Sequence, residues 1–463
     1  MNGQADSVDA LFAEALRLHA ALDLGGAERA LRELLRIDPS RLEAHANLGL
    51  VLEASRRIDE AESCYRAALA IDTGFAPAHN LLGTALMAQG RYDEAGRALR
   101  RAVELEPRSP AFWTNYGVLL ARRKQESAAE NCYRSAIALD PGYANASFNL
   151  AYLLLRAGKF EEGWQRFEYR DWYDQIGKAF GVPRWQGEDI AGKSIAIGIE
   201  AGHGDMIQFC RYAALLKARG AAHVSLLCHP ALLRLFGRLA GVDEALDARE
   251  AFSDRGWDFW VPAMSLPHWF NTRLDSIPAD LPYLSAAPEV VSGYAGLFDG
   301  LGSRLRVGLV WKGNPSFEND QARSLPSLAA LSPLATCRDV AFFSLQKGPA
   351  EEEIATPPFR VENLAPYLND FADTAAMLMH LDLVICVDTA VAHLAGALGR
   401  NCWVLLPDHL TDWRWMTERT DSPWYPGAMR LFRQGVPSCW APVIETVAAA
   451  LERYPRPGRF SSP

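Results

Sequence analysis

Small residues recur along the first third of this chain at a constant step: Gly49, Gly83, Gly117 and Ala151 lie 34 residues apart. Ala61, Ala95, Ala129 and Gly163 repeat that step twelve residues later, and Ala68, Ala102 and Ala136 mark a further small position. Two helices of a hairpin approach closely only where side chains are small. Several small positions locked to one period therefore confine this region to stacked helical hairpins. Pro39, Pro107 and Pro141 end their units, because proline cannot continue a helix. Thr73 stands where a proline is expected and Arg170 where a small residue is expected, so the unit beginning near Ala144 reads as a modified cap. A weaker unit runs first, through Ala15, Ala27 and Pro39.

A 34-residue helical hairpin is the tetratricopeptide period. Such an array presents a concave face, lined by the first helix of each unit, that suits an extended peptide or a partner helix. Asn47, Asn115 and Asn149 fall two residues before their register positions, and Asn80 sits beside Leu81 in the second unit. Amides at a repeating step offer a peptide backbone both a donor and an acceptor. The same side chains also suit neighbouring turns or water. Over roughly residues 10 to 170 the array resembles the peptide-guiding superhelix of the O-linked N-acetylglucosamine transferases, which use an asparagine ladder of this kind.

Composition sets outer limits. The 463 residues, 49% hydrophobic and 22% charged, fit a well-cored protein of about three domains. A formal charge of -9 and the lack of a basic tract exclude a nucleic-acid partner. Asp6, Asp9 and Glu14 mark a start with neither signal peptide nor membrane span. The eight scattered cysteines have no zinc or redox spacing and read as free, mostly buried thiols of a cytoplasmic protein.

Pro183 and the Gly187 to Gly192 stretch mark a boundary, after which the pattern changes. Ser194 to Ile199 is expected to be a strand, Gly202 to Asp205 a tight loop, Met206 to Arg219 a helix and Val224 to Cys228 a strand. That succession is a βαβ unit of a parallel sheet. After a junction near Gly293 to Ser303, strands are expected at Arg306 to Trp311, Ala341 to Leu345 and Leu383 to Val387. The domains expected are a repeat array with capping helices (1–180), a first Rossmann-like half (181–298) and a second one with a C-terminal helix (299–463). Ligands of such halves sit at the carboxyl ends of the strands.

The residues after those strands carry the candidate chemistry. In LDLVICVDTAVAHLAGALG, Asp388 and Thr389 can cap a helix whose N-terminus favours a phosphate, with His393 one turn in. Asp205, in the loop Gly202-His203-Gly204-Asp205, is either an N-cap or a general base, and His203 is a rival base. Lys312, Asn314, Arg323 and Ser324 follow one strand, and Gln346 and Lys347 another. Cations at strand ends suit a phosphate leaving group, which places Lys347 among the catalytic candidates. Trp413 and Arg414, in DWRW, can stack on a base or sugar, or pack the last helices.

Taken together, GHGDMIQFCRYA, PAMSLP, VGLVWKGNP, FFSLQKG, VDTAVAHLAGALG, DWRW and DSPWYPGAMRLFRQ resemble bacterial tetratricopeptide proteins carrying a two-domain GT-B glycosyltransferase related to the heptosyltransferases. The resemblance spans roughly residues 160 to 455. It implies an α-helical tetratricopeptide solenoid followed by an α/β GT-B module with doubly wound parallel sheets. It also implies a nucleotide-sugar donor in the second half, an acceptor in the first, and inversion at the anomeric carbon. Residue by residue, it places the general base at Asp205 and donor phosphates at Lys312, Lys347, Asp388, Thr389 and His393. Relatives read Gln-Gly-Leu-Gly-Asp where this chain has Ala201-Gly202-His203-Gly204-Asp205. That departure leaves the base open between Asp205 and His203.

The function expected is metal-independent transfer of a sugar to a serine or threonine of a protein held by the array, with no cofactor beyond the nucleotide-sugar. Some relatives of this architecture act in flagellin glycosylation, which makes flagellin the acceptor suggested by analogy. The rivals are a non-catalytic peptide-binding scaffold with a degenerate transferase module, and a heptosyltransferase-like enzyme acting on a lipid or saccharide.

Overall fold

The computed structural model describes residues 2–170, 177–250, 255–317, 319–408 and 411–455. Two compact units divide the chain, residues 1–153 and 154–463.

The first unit is a succession of antiparallel helix pairs: α1 (Asn2–Ala20) with α2 (Leu24–Ile37), α3 (Leu42–Ala54) with α4 (Ile58–Ile71), α5 (Ala76–Ala88) with α6 (Tyr92–Leu105), and α7 (Pro110–Arg122) with α8 (Glu126–Leu139). The division between units falls within α9 (Ala144–Arg156). The glycines of the repeat have a specific cause. A methyl group on Gly49 would lie 2.2 Å from Tyr65 Cε1, on Gly83 2.5 Å from Leu99 Cγ, and on Gly117 2.6 Å from Tyr133 Cε1. The second helix of each hairpin thus presses a large side chain into the slot where the first helix has no Cβ. Gly117→Ala is expected to cost about 1–3 kcal/mol through overpacking, read as a lower urea midpoint of the helical signal.

The departure at Thr73 is also explained. His45 Nε2 bonds Pro39 O at 2.9 Å, His79 Nε2 bonds Thr73 O at 3.0 Å, and Trp113 Nε1 donates to Pro107 O at 2.9 Å. What the position supplies is a backbone carbonyl that ties down the next helix, and threonine supplies one as well as proline does. At the N-caps of two second helices, Arg57 pairs with Glu28 (2.8 Å) and Glu60 (2.7 Å), and Arg91 with Glu62 (2.7 Å) and Glu94 (2.8 Å). These surface pairs contribute little singly.

The second unit opens with α10 (Phe160–Phe167) and contains two sheets. The first consists of β1 (Ser194–Gly198), β2 (His223–Cys228), β3 (Glu244–Asp247) and β4 (Phe259–Pro262), in the order β3-β2-β1-β4. The second holds β5 (Leu305–Val310), β6 (Val340–Ser344), β7 (Val361–Asn363), β8 (Leu383–Val387), β9 (Cys402–Leu406) and β10 (Met429–Arg433), in the order β10-β9-β8-β5-β6-β7. All pairings are parallel. The strand order of each sheet reverses at one place, between β1 and β4 in the first and between β5 and β8 in the second. Crossovers leave on opposite sides there and open a crevice at the carboxyl ends. The second sheet is cored by Val307, Leu309, Ile385, Val387 and Leu405 under Trp440, Ile444 and Val447, the last two on the helix Ala441–Glu452.

One expected loop is helical. α11 (His203–Phe209) starts at His203, because Gly202 is its N-cap and Asp205 Oδ2 accepts the Gly202 N–H at 2.8 Å. The helix expected through Arg219 breaks into a 3₁₀ turn, Cys210–Tyr212, and a short helix, Ala213–Ala218. The other elements relevant to the site are α12 (Phe371–Met379) and α13 (Ala390–Ala397).

Candidate functional site

The two crevices meet. α11, after β1, packs against α13, after β8, and at Gly204 a Cβ would lie 2.8 Å from His393 Cδ2 and 3.5 Å from Ala390 Cα. Only glycine allows these helix starts to touch. His393 is buried, shares a 2.9 Å hydrogen bond between Nδ1 and the Tyr425 hydroxyl, and stacks on Trp415 with ring centres 5.2 Å apart. Burial, reinforced by Arg414, Arg211 and Arg323, holds it well below the usual imidazole range, so the ring is neutral at pH 7.

Asp205 lies at this junction with both oxygens engaged. Oδ2 caps α11, and Oδ1 pairs with Arg414 Nη2 from the second half. Arg414 is itself buried; its Nε donates to Gln208 Oε1, and its Nη1 donates to both oxygens of Asp412 at 3.0 Å. The guanidinium is packed by Trp413 at 4.4 Å and Phe209 at 5.4 Å from the ring centres. Burial raises the Asp205 carboxyl above the ordinary aspartate range, and the Arg414 charge opposes that rise. His203 moves the other way. It packs on His229 and Phe371, with ring centres 4.4 and 5.1 Å away, and burial with the His229 charge pushes it down to about 4. Burial thus moves the two candidate bases in opposite directions, Asp205 upward and His203 downward.

Around the second crevice, Asp388 follows β8 directly. Burial and the neighbouring Asp412 push its carboxyl up to about 6, against Arg323, Trp415 and Arg414. Thr389 is the N-cap of α13, yet its Oγ1 is buried without a hydrogen-bond partner. Arg323 pairs with Asp320 at 3.2 Å and covers the Phe317 ring, and Ser324 Oγ accepts the Gly313 N–H at 2.8 Å. Asn314 Oδ1 accepts the Ser316 N–H at 3.0 Å.

Three candidates are engaged within the protein. Gln346 clamps two strand ends, accepting the Trp311 and Lys312 N–H groups (3.1 and 3.0 Å) and donating to the Lys312 and Lys347 carbonyls (3.1 and 2.9 Å). Lys312 Nζ pairs with Glu353 at 2.5 Å. Lys347 Nζ donates to Ala365 O at 3.2 Å, with a side chain about half exposed. The asparagines belong to the first unit. Asn115 Nδ2 donates to Asn80 Oδ1 at 2.9 Å, while Asn47 and Asn149 donate to the carbonyls of Glu43 and Asn145.

Four residues that sequence reasoning passed over also build the junction. Gln208 and Asp412 hold Arg414. Arg211 reaches across to Trp424 O (2.9 Å) and binds Pro278 O (3.0 Å) and the Tyr283 hydroxyl (2.9 Å), under the rings of Tyr283 and Tyr425. Glu200, with no exposed side-chain surface, pairs with Arg170 at 2.5 Å. The available signal was charge inside apolar runs: an arginine in MIQFCRYAA and a glutamate after SIAIGI must find partners once buried. Among the described residues no group of three or more His, Cys, Asp or Glu side chains is placed to hold a metal ion, and no helix is long and apolar enough to cross a membrane.

Comparison with known proteins agrees with both units. Tetratricopeptide repeat profiles match residues 12–74, 54–119, 86–134 and 132–165, and the profile described as glycosyltransferase family 9 (heptosyltransferase) matches residues 339–404. The latter segment runs from just before β6 into β9 and includes Lys347, Asp388, Thr389 and His393. Protein FlbA of Caulobacter vibrioides is 29% identical over 340 residues, 67% of this chain and 55% of that protein. The chain thus spans about half the length of this relative. Among solved structures, the Pseudomonas aeruginosa pilF protein is 24% identical with a TM-score of 0.36, over 47% of this chain and 87% of that one. A MamA crystal structure is 22% identical with a TM-score of 0.30, over 36% of this chain and 96% of that one.

Proposed function

We propose that this chain is a glycosyltransferase that moves a sugar from a nucleotide-sugar donor to a serine or threonine hydroxyl of a protein acceptor. The observation that carries the reading is the junction of the two crevices, where a carboxylate from the first half meets the buried Arg414 and a helix N-terminus from the second. In this reading the acceptor hydroxyl loses its proton to Asp205 as its oxygen attacks the anomeric carbon. The bond to the departing phosphate breaks on the opposite face, with inversion. Negative charge then grows on the leaving phosphate. The start of α13 with Thr389, together with Arg323 and Lys347, stabilises that charge where a Mg²⁺ ion would otherwise do so. The neutral His393 ring adds no charge and presents its carbon edge at Gly204.

The repeat array supplies the protein-binding half of the reading, with flagellin as the acceptor suggested by architecture. Asn47 and Asn149 each donate one Nδ2 hydrogen bond to their own helix, so these two side chains would offer a bound peptide their carbonyl oxygens and the second N–H.

The experiment is a thermal-shift panel of UDP, GDP, ADP, CMP and their common sugar conjugates, followed by a transfer assay with the stabilising donor. A donor at ~100 times its Kd adds about 2.7 kcal/mol to the folded state. Selective stabilisation by one nucleotide, followed by turnover of its sugar conjugate, supports the reading. Partner binding with no donor binding and no turnover would support a scaffold instead. Turnover onto a lipid or saccharide but no protein would leave the enzyme and replace its acceptor.

A further inference from the structure

We propose that Arg414, carried by the second α/β half, is the positioning residue that fixes the Asp205 carboxylate of the first half, so that the base is assembled only while the two halves are together. The inference rests on the glycosyltransferase reading for its link to catalysis, but the coupling itself can be tested without turnover.

The bonds from Arg414 to the first half fit this role. A guanidinium has five N–H donors in a rigid fork. Here Nε goes to Gln208 Oε1 and Nη2 to Asp205 Oδ1, which are both side chains of α11 one turn apart. Nη1 is spent on Asp412, two residues away on its own loop. The fork is therefore anchored at home by Asp412 and grips two points on the opposite half. Its planar faces are covered by Trp413 and Phe209. Arg414 is buried, and each of its three nitrogens donates to a side chain of the protein. From sequence alone, DWRW offers Arg414 to the donor's base or sugar; the structure directs it to Asp205, Gln208 and Asp412 instead.

The electrostatics agree. The charged groups around Asp205 are Arg414 and Asp412 from the second half and Glu200 from the end of β1, with the Gly202 N–H as the capping donor. His203, on α11 itself, and His393, from α13, are both held neutral at pH 7 by burial. Arg414 acts to lower Asp205, against burial and two carboxylates that raise it. Its removal must therefore drive the Asp205 pKa upward and leave a larger share of the carboxyl protonated at neutral pH.

The test compares wild type with Arg414→Gln and with Arg414→Lys, which retains the charge but not the fork and guards against a misfolded glutamine variant. The Asp205 carboxyl is titrated by carbon NMR, assigned by its absence in Asp205→Asn, and kcat/KM for transfer is measured against pH. In Arg414→Gln the Asp205 titration and the acidic limb of the rate profile should both move up by about one pH unit or more. Arg414→Lys should show a smaller shift in the same direction, and donor KM should stay within about twofold of wild type in both. An unmoved Asp205 titration in folded Arg414→Lys and Arg414→Gln overturns the proposal. A raised donor KM with an unmoved limb also overturns it and returns Arg414 to donor binding. If Asp205→Asn keeps full activity, the base assignment fails, whereas the NMR titration still decides whether Arg414 controls Asp205.

Discussion

Asp205→Asn is expected to lower the rate of sugar transfer by roughly 10²- to 10⁴-fold, the usual contribution of a positioned general base, with the fold retained. Asparagine keeps the shape and an oxygen that can accept the Gly202 N–H, so α11 keeps its cap at a cost of a few tenths to about 1 kcal/mol. Arg414 keeps Asp412 and Gln208. What disappears is the anionic oxygen that takes the hydroxyl proton. Single-turnover rates with saturating donor, set beside the donor-induced thermal shift, separate chemistry from binding. A variant that binds donor normally but transfers slowly fits the assignment. Transfer within threefold of wild type would remove Asp205 from the mechanism and turn attention to His203.

The largest stability effect is expected at Arg170. This residue occupies a position where the repeat period calls for a small side chain, and it lies fully buried against Glu200. Its guanidinium bonds both Glu200 oxygens (2.5 and 3.1 Å), Glu168 (2.9 Å), Ser265 Oγ (2.7 Å) and Phe167 O (3.0 Å). Glu200 Oε2 in turn accepts the Met264 N–H at 3.0 Å, which links the end of β1 to the turn after β4. These are the two strands flanking the reversal in strand order of the first sheet, so the pair braces the base of its crevice. Removing one partner of a buried pair leaves an uncompensated charge and typically costs about 3–5 kcal/mol. Arg170→Met should show that loss as a lower urea midpoint by tryptophan fluorescence, since twelve of the thirteen tryptophans lie in residues 154–463. Arg170→Met with Glu200→Gln should recover a large part of it, because no buried charge is then left alone. A double variant as unstable as the single one would show that packing, not charge, is the cause.

These two sites show where reasoning from sequence succeeds and where it stops. The strand β8 falls at Leu383–Val387, as its apolar run required, and the helix after it begins at Ala390, immediately after Thr389. The helical hairpins follow the 34-residue step because their determinants are short-range: a glycine on one helix and a large side chain 16 residues later on the next, as in Gly49 and Tyr65. Each loop proposed to carry chemistry does follow a strand, since the change from an apolar run to glycines and polar groups is written locally.

Partner choice was not legible in the same way. Arg414 and Asp205 are 209 residues apart, and Arg211 lies 213 residues from the Trp424 carbonyl it binds. Asp205 read as a cap or a base, with spacing alone favouring the cap, because both roles use the same atoms; the structure places it in the capping bond and at the junction at once. Lys312 read as a phosphate ligand, since nothing local reveals that Glu353, 41 residues on, is folded against it. The sequence by itself determined the repeat, the parallel α/β class and the loops that could bear a site, because periodicity and patterning act over a few turns or one strand. Only the tertiary structure decided which charges meet, because strand order brings distant loops together and burial then obliges each charge to take whatever partner that order supplies.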